Sequence, residues 1–204
     1  MRYAYPTLKP PPGIPLNRSH PSCIGLVGCW MLNEKSGLVA QDAARRSNGV
    51  FTNTPIWNPG IYGGSVNFTA ASSHHLLMGN QPHLNLVNNW TVEAMVRRNG
   101  TTGLAMSVYS PGRAWFIRLS STGEHSLTIL TRSDESTVVI SVDGVWEHIV
   151  WTVDSGNIAR FYLNGRKRFT GSQTTASSTP AGPARIAAWD NGSGVAQRFF
   201  PGQI

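Results

Sequence analysis

The chain predicts an all-β fold, a sandwich of two antiparallel sheets, and three observations carry that prediction. Residues 145–153 and 158–163 alternate apolar and polar side chains with period two, the signature of strands. Asn164-Gly165 closes the second run, and Asn-Gly favours a type I′ turn because both central residues take positive φ. No window repeats apolar residues at helical spacing beyond about two turns. A third strand, Arg166 to Phe169, is expected to return from the turn, completing a meander with aromatic residues on both faces.

Composition agrees. Charged residues make up 13% of the 204 residues, while glycine, serine, threonine and asparagine are abundant, as in loop-rich β proteins. The length suits one larger β domain with a full core. Net charge is +7, which raises nucleic acid as a partner. The basic residues are scattered, however. Arg45-Arg46, Arg97-Arg98 and Arg166-Lys167-Arg168 are the clusters, each at an expected loop or strand end, so a solvated rim accounts for them better. Cys23 and Cys29 form no disulfide framework and are read as free thiols. No stretch reaches the length of a membrane span, and Met1-Arg2 is followed by tyrosine and proline, not by the apolar run of a signal peptide. Export by the Sec route is therefore not expected, and no membrane partner is.

Residues 1–23 are expected to form an extended arm. Pro6, Pro10, Pro11, Pro12, Pro15 and Pro21 lie there, and Lys9-Pro10-Pro11-Pro12 favours polyproline II. Tyr3, Tyr5, Leu8, Ile14 and Leu16 give it apolar handles for lying on a neighbouring subunit or on its own domain. Residues 24–204 form the domain. Strands are expected near 24–32, 65–69, 75–78, 90–97, 103–109, 114–120, 125–131, 136–142, 146–153, 158–163, 166–170, 184–188 and 197–200. Turn signals such as Asn99-Gly100, Asp143-Gly144 and Ser155-Gly156 separate them.

Four segments in order resemble the laminin-G-like, concanavalin A-like jelly rolls. They are Gly28 to Gly37 with Asp42, Gly63 to Phe68, Trp90 to Val96, and Trp146 to Val150 followed by Phe161 to Gly165. The resemblance covers about residues 26–204 and implies a concanavalin A-like jelly-roll sandwich, a fold that hosts lectins, adhesion modules, hydrolases and virion parts. It also implies a closing strand that the chain is expected to lack, since it ends at Gly202-Gln203-Ile204 where that strand starts. Residues 1–5 are a candidate for filling the slot. The resemblance further implies weighing calcium near Asp42, although Arg45 and Arg46 in that loop oppose a dication. Asp190-Asn191-Gly192 is a second candidate, and otherwise neither metal nor cofactor is expected.

Catalytic residues are not expected. Retaining glycosidases need two carboxylates about 5–5.5 Å apart. Glu93 stands alone in its strand, Asp143 and Glu147 straddle a turn, and Asp134-Glu135 point to opposite faces. The glucanase motif E-x-D-x-x-E is absent, as is G-x-S-x-G. His74-His75 are adjacent, which puts one on the solvent side and one on the core side. His148 reads as a core or groove residue, and Trp146 as core. Trp57, Tyr62, Tyr109, Trp115 and Trp189 are candidate platforms for sugar rings, with Trp57, Trp189, Tyr62 and Asn191 the preferred glycan-binding set. Tyr3, Tyr5, Pro10, Pro11 and Pro12 are the assembly candidates.

Two functions follow as expectations. The first is a non-catalytic structural or assembly protein, a phage virion surface component in capsid decoration or tail, whose partners are other subunits and glycans. The alternative is a carbohydrate-binding adhesion module within a larger extracellular protein.

Overall fold

The computed structural model describes residues 8–84, 86, 89–99, 115–119, 124–129, 138–139, 142–172, 183–190, 195–197 and 199–204. Sixteen strands are assigned among them: β1 Val39–Ala40, β2 Gly49–Thr52, β3 Ile56–Gly60, β4 Gly63–Phe68, β5 His75–Gly79, β6 Trp90–Arg98, β7 Trp115–Leu119, β8 Glu124–Ile129, β9 Val138–Val139, β10 Trp146–Val153, β11 Ile158–Leu163, β12 Arg166–Ser172, β13 Ala184–Ile186, β14 Trp189–Asp190, β15 Ala196–Gln197 and β16 Gly202–Gln203. One sheet has seven strands in the order β12-β11-β10-β6-β16-β4-β3, and a second has four, β1-β2-β5-β13. Three-stranded β7-β8-β9 and the ribbon β14-β15 complete the inventory. Every pairing is antiparallel. Only three short 3-10 turns interrupt the strands among the described residues. This is the expected two-sheet jelly-roll sandwich.

The meander sits where its alternation puts it. Strand β10 alternates half-buried and buried residues along its whole length. Glu147, Ile149, Trp151 and Val153 face inward, while Trp146, His148, Val150 and Thr152 face out. Asn164 at φ 49° and Gly165 at φ 76° make the predicted tight turn. The Asn164 side chain also accepts the His148 backbone N–H at 2.8 Å, tying the turn back to β10. Trp146 is therefore not core, contrary to expectation, because the register assigns the even positions of β10 to the outer face. The core tryptophan of β10 is Trp151, fully buried and stacked on Phe161 at 4.8 Å between centroids.

Phe68, Leu76, Ile117 and Phe200 fill the rest of the core. His74 and His75 are both buried, so the expected solvent-side and core-side split fails. A 3-10 turn ends at Ser73 in the left-handed region, at φ 53°, and breaks the strict alternation just before β5. His75 donates from Nδ1 to the Ser73 carbonyl (3.0 Å) and accepts from the Thr52 hydroxyl (3.1 Å). Burial pushes its imidazole below the ordinary value.

Strands expected near 65–69, 75–78, 90–97, 146–153 and 158–163 appear within two residues, while 103–109 lies outside the described residues. The segment 24–32 forms no strand. Its ladder reduces to the bridge Trp30↔Asp42, because the Met31 carbonyl is taken by the Lys9 ammonium at 2.7 Å and the Cys29 N–H by a carboxylate. The last residues do pair: β16 lies between β4 and β6, and Ile204 exchanges both backbone hydrogen bonds with Val66 at 3.1 Å.

Candidate functional site

The segment that carries most of the site is the loop after β1. Asp42 is 3% exposed, and its two carboxylate oxygens accept four backbone N–H groups. Oδ1 takes those of Cys29 (2.8 Å) and Ala44 (2.9 Å); Oδ2 takes those of Arg46 (2.9 Å) and Ser47 (3.0 Å). A carboxylate is the only side chain that can gather four donors this way, with about four lone-pair sites. The loop is pinned from outside too. The Asn48 side-chain oxygen accepts the Asp42 N–H at 3.0 Å, the Trp30 indole donates to the Ser47 carbonyl at 3.0 Å, and the Arg18 guanidinium donates to the Ala44 carbonyl.

The arm lies on its own domain beside this loop. Lys9 enters first: its N–H donates to the Tyr62 carbonyl at 2.7 Å and its ammonium to the carbonyls of Met31 (2.7 Å) and Gly64 (2.8 Å). Burial lowers the Lys9 pKa, and the Glu34 carboxylate nearby works against that shift. The Asn33 amide then donates to the Pro10 carbonyl at 2.6 Å. Gly64 permits the approach, since a Cβ there would lie 2.8 Å from the Asn33 Cα.

Between arm and loop lies an open cavity of about 400 Å³. Pro10 to Ile14 form an apolar wall, Met31, Asn33 and Glu34 the floor, and Gln41 to Asn48 the polar wall. Gln41, Arg45, Arg46 and Asn48 are exposed there. One Glu34 oxygen accepts the Gln41 N–H at 2.7 Å; the other is buried without a hydrogen-bond partner among the described residues, as is the Ser47 hydroxyl. Burial, reinforced by the Arg46 charge, holds the His83 imidazole below its ordinary value. A second cavity, of about 330 Å³, lies between Leu26–Leu32 and β6 beside Ile204 and is mainly apolar, with Lys9, Glu93 and His148 at its edge.

The preferred glycan residues do not meet in either cavity. Trp57 is the clearest correction. It pairs with Val66 on the inward face of β3, packs edge-on against Phe51 at 5.5 Å and donates its indole N–H to the Gly37 carbonyl at 3.2 Å. Its ring is half-buried and part of it packs on the core. Tyr62 is exposed at the β3–β4 turn, and Trp189 is half-buried in β14. Asn191, Tyr109, Tyr3 and Tyr5 lie outside the described residues, as does the Trp115 side chain. Pro10, Pro11 and Pro12 do enter the cavity wall. The exposed polar residues lining the cavity that the sequence did not single out as candidate binding groups are Gln41, Arg45, Arg46 and Asn48. The signal the sequence offers is Arg45-Arg46 in a loop, which by itself reads as part of a solvated rim and as opposing calcium.

Glu93 and Glu147 sit on neighbouring strands but opposite faces, and Asp143 is held by Arg98 at 2.7 Å. No group of three or more histidine, cysteine, aspartate or glutamate residues gathers as a metal would need, among the described residues. At the calcium candidate, Asp42 is committed to backbone amides; the Asp190 side chain and Asn191 lie outside the described residues. No helix among the described residues is long and apolar enough to cross a membrane.

A family model described as the concanavalin A-like lectin/glucanases superfamily, Laminin_G_3, matches residues 69–204. No curated protein matches the chain. Among solved structures, domain 4 of AbnA, a GH43 extracellular arabinanase from Geobacillus stearothermophilus, in complex with arabinotriose, is similar at TM-score 0.59 and 17% identity, covering 79% of this chain and 82% of that one. The binding domain of Paraclostridial mosquitocidal protein 1 is similar at 0.56 and 13%, covering 87% and 48%. Botulinum neurotoxin type C, in a structure concerning its interaction with two ganglioside molecules, is similar at 0.53 and 15%, covering 80% and 42%. The chain thus spans less than half of either toxin chain. At these identities the likeness is one of fold.

Proposed function

Since the chain belongs to the concanavalin A-like lectin/glucanase superfamily, we propose that it is a non-catalytic carbohydrate-binding module whose ligand sits in the cavity between the arm and the Asp42 loop. The cavity carries the reading. Its apolar proline wall suits the C–H face of a sugar ring, and its facing wall of amide and guanidinium groups suits the hydroxyls, the division of labour typical of small-molecule sites. The similar arabinanase domain, solved with arabinotriose, supports the same class of ligand. The assembly reading draws less support, because Lys9 and Pro10 of the arm bond to their own domain. The site implies work where glycans are met, outside a cell or on a virion surface, with glycans as partners and no cofactor.

A broad panel of immobilised oligosaccharides tests the reading. Saturable binding is expected, and Ile14→Trp, which fills the cavity from an exposed position, is expected to abolish it while circular dichroism stays unchanged. A flat response across the panel, or binding indifferent to Ile14→Trp, sinks it.

A further inference from the structure

The cavity has a donor–acceptor imbalance. Its acceptors are largely consumed by the protein itself. Both Asp42 oxygens hold backbone N–H groups, and the Asn48 side-chain oxygen holds the Asp42 N–H. The Pro10, Ala44 and Ser47 carbonyls hold Asn33, Arg18 and Trp30, and the accessible Glu34 valence is taken by Gln41. The remaining Glu34 oxygen is sealed from solvent, and its charge is opposed by the Lys9 ammonium.

The donors, in contrast, are open. Arg45 and Arg46 are exposed, line the cavity and make no ion pair among the described residues. Each guanidinium offers five N–H groups in a planar fork. Asn48, with its oxygen engaged, is left with its amide N–H₂. Arg45 is held with its backbone at φ 58° by the rigid loop, so the guanidinium pair is presented from a fixed base. A neutral sugar brings hydroxyls that donate as readily as they accept, and the one exposed side-chain acceptor left for them among the described lining residues is the Gln41 amide oxygen, against two guanidinium forks. A carboxylate brings acceptors alone, in the bidentate geometry that a guanidinium fork matches.

We infer that the cavity selects carbohydrates carrying a carboxylate, with Arg45 and Arg46 receiving the carboxylate and Asn48 a neighbouring hydroxyl. This rests on the carbohydrate-binding reading above and narrows it. None of these residues falls within the 69–204 match, so the specificity belongs to this chain's opening segment and not to the family core.

The test uses the full chain and matched ligands: galacturonate, glucuronate and sialic acid-terminated oligosaccharides beside their methyl esters, with neutral oligosaccharides and a sulfated polymer as further arms, read by titration calorimetry. At least one acid is expected to bind on the order of tenfold more tightly than its ester. Arg45→Gln/Arg46→Gln is expected to remove that preference, and added salt to weaken it. An ester binding as well as its acid, or a sulfated polymer competing as well as the oligosaccharide, overturns the carboxylate inference and leaves carbohydrate binding standing. Absence of binding to every acidic and neutral ligand overturns the carbohydrate reading itself.

Discussion

The meander at β10–β12 and the segment from Lys9 to Asn48 are built by opposite means. The meander is repetitive backbone: eight register pairs join β10 to β6, and alternate side chains go in and out by geometry alone. The opening segment has almost no ladder and is held by side chains reaching to backbone: Lys9, Arg18, Trp30, Asn33 and Asp42. Strands inside a ladder, such as β10 and β11, have their backbone groups paired on both sides and none left for a ligand. A segment held by side chains can curve, and here it encloses a cavity. The stable part of the molecule and the part suited to binding are therefore different stretches of chain.

Substitutions at four positions sharpen this contrast. Trp151→Ala is expected to cost about 3–5 kcal/mol, read by urea denaturation, whereas Trp146→Ala, in the same strand but on the outer face, should cost less than about half as much. Equal costs would mean the inward and outward faces of β10 are misassigned. Asp42→Ala orphans four amides and is expected to cost about 2–4 kcal/mol, with loss of ligand binding; Asp42→Asn should recover only part, as it has one acceptor oxygen. Lys9→Met removes the ammonium from the Met31 and Gly64 carbonyls. It should free the arm to limited proteolysis after residues 9–14 while leaving the unfolding midpoint of the domain nearly unchanged; a large drop in midpoint would show the arm to be part of the core.

The smallest effect is one of pH. His75 is buried with its pKa below 6.5 in the folded state, so the unfolded chain takes up a proton first as pH falls. Its contribution to stability is complete above about pH 6.5 and is lost as pH falls through the folded value. Thr52→Val, which removes the hydroxyl partner, should shift that acid limb, while Arg45→Gln in the cavity should leave it in place.

The fold was legible because its signals are local. The alternation of Val145 to Val153 and the Asn164-Gly165 turn need no distant partner to be read. The face assignment was less so: Trp146 and Trp151 lie on alternating positions, and which of them goes inward depends on the side of the sheet that the second layer covers. The site was the least legible. Asp42 looks in sequence like a loop acid, and Trp57, in Gly/Asn/Pro-rich surroundings, like an exposed ring. Only the positions of the Cys29 amide and of Phe51 decide otherwise.

By itself the amino-acid sequence determined the strand-rich architecture, the meander, its turn and the existence of a proline arm, since each rests on torsional preference and period. The tertiary structure alone decided where the arm lies, which carbonyls Lys9 caps and which backbone amides Asp42 gathers. The place of the arm is set by contacts between groups 22 to 55 residues apart, which no local pattern encodes.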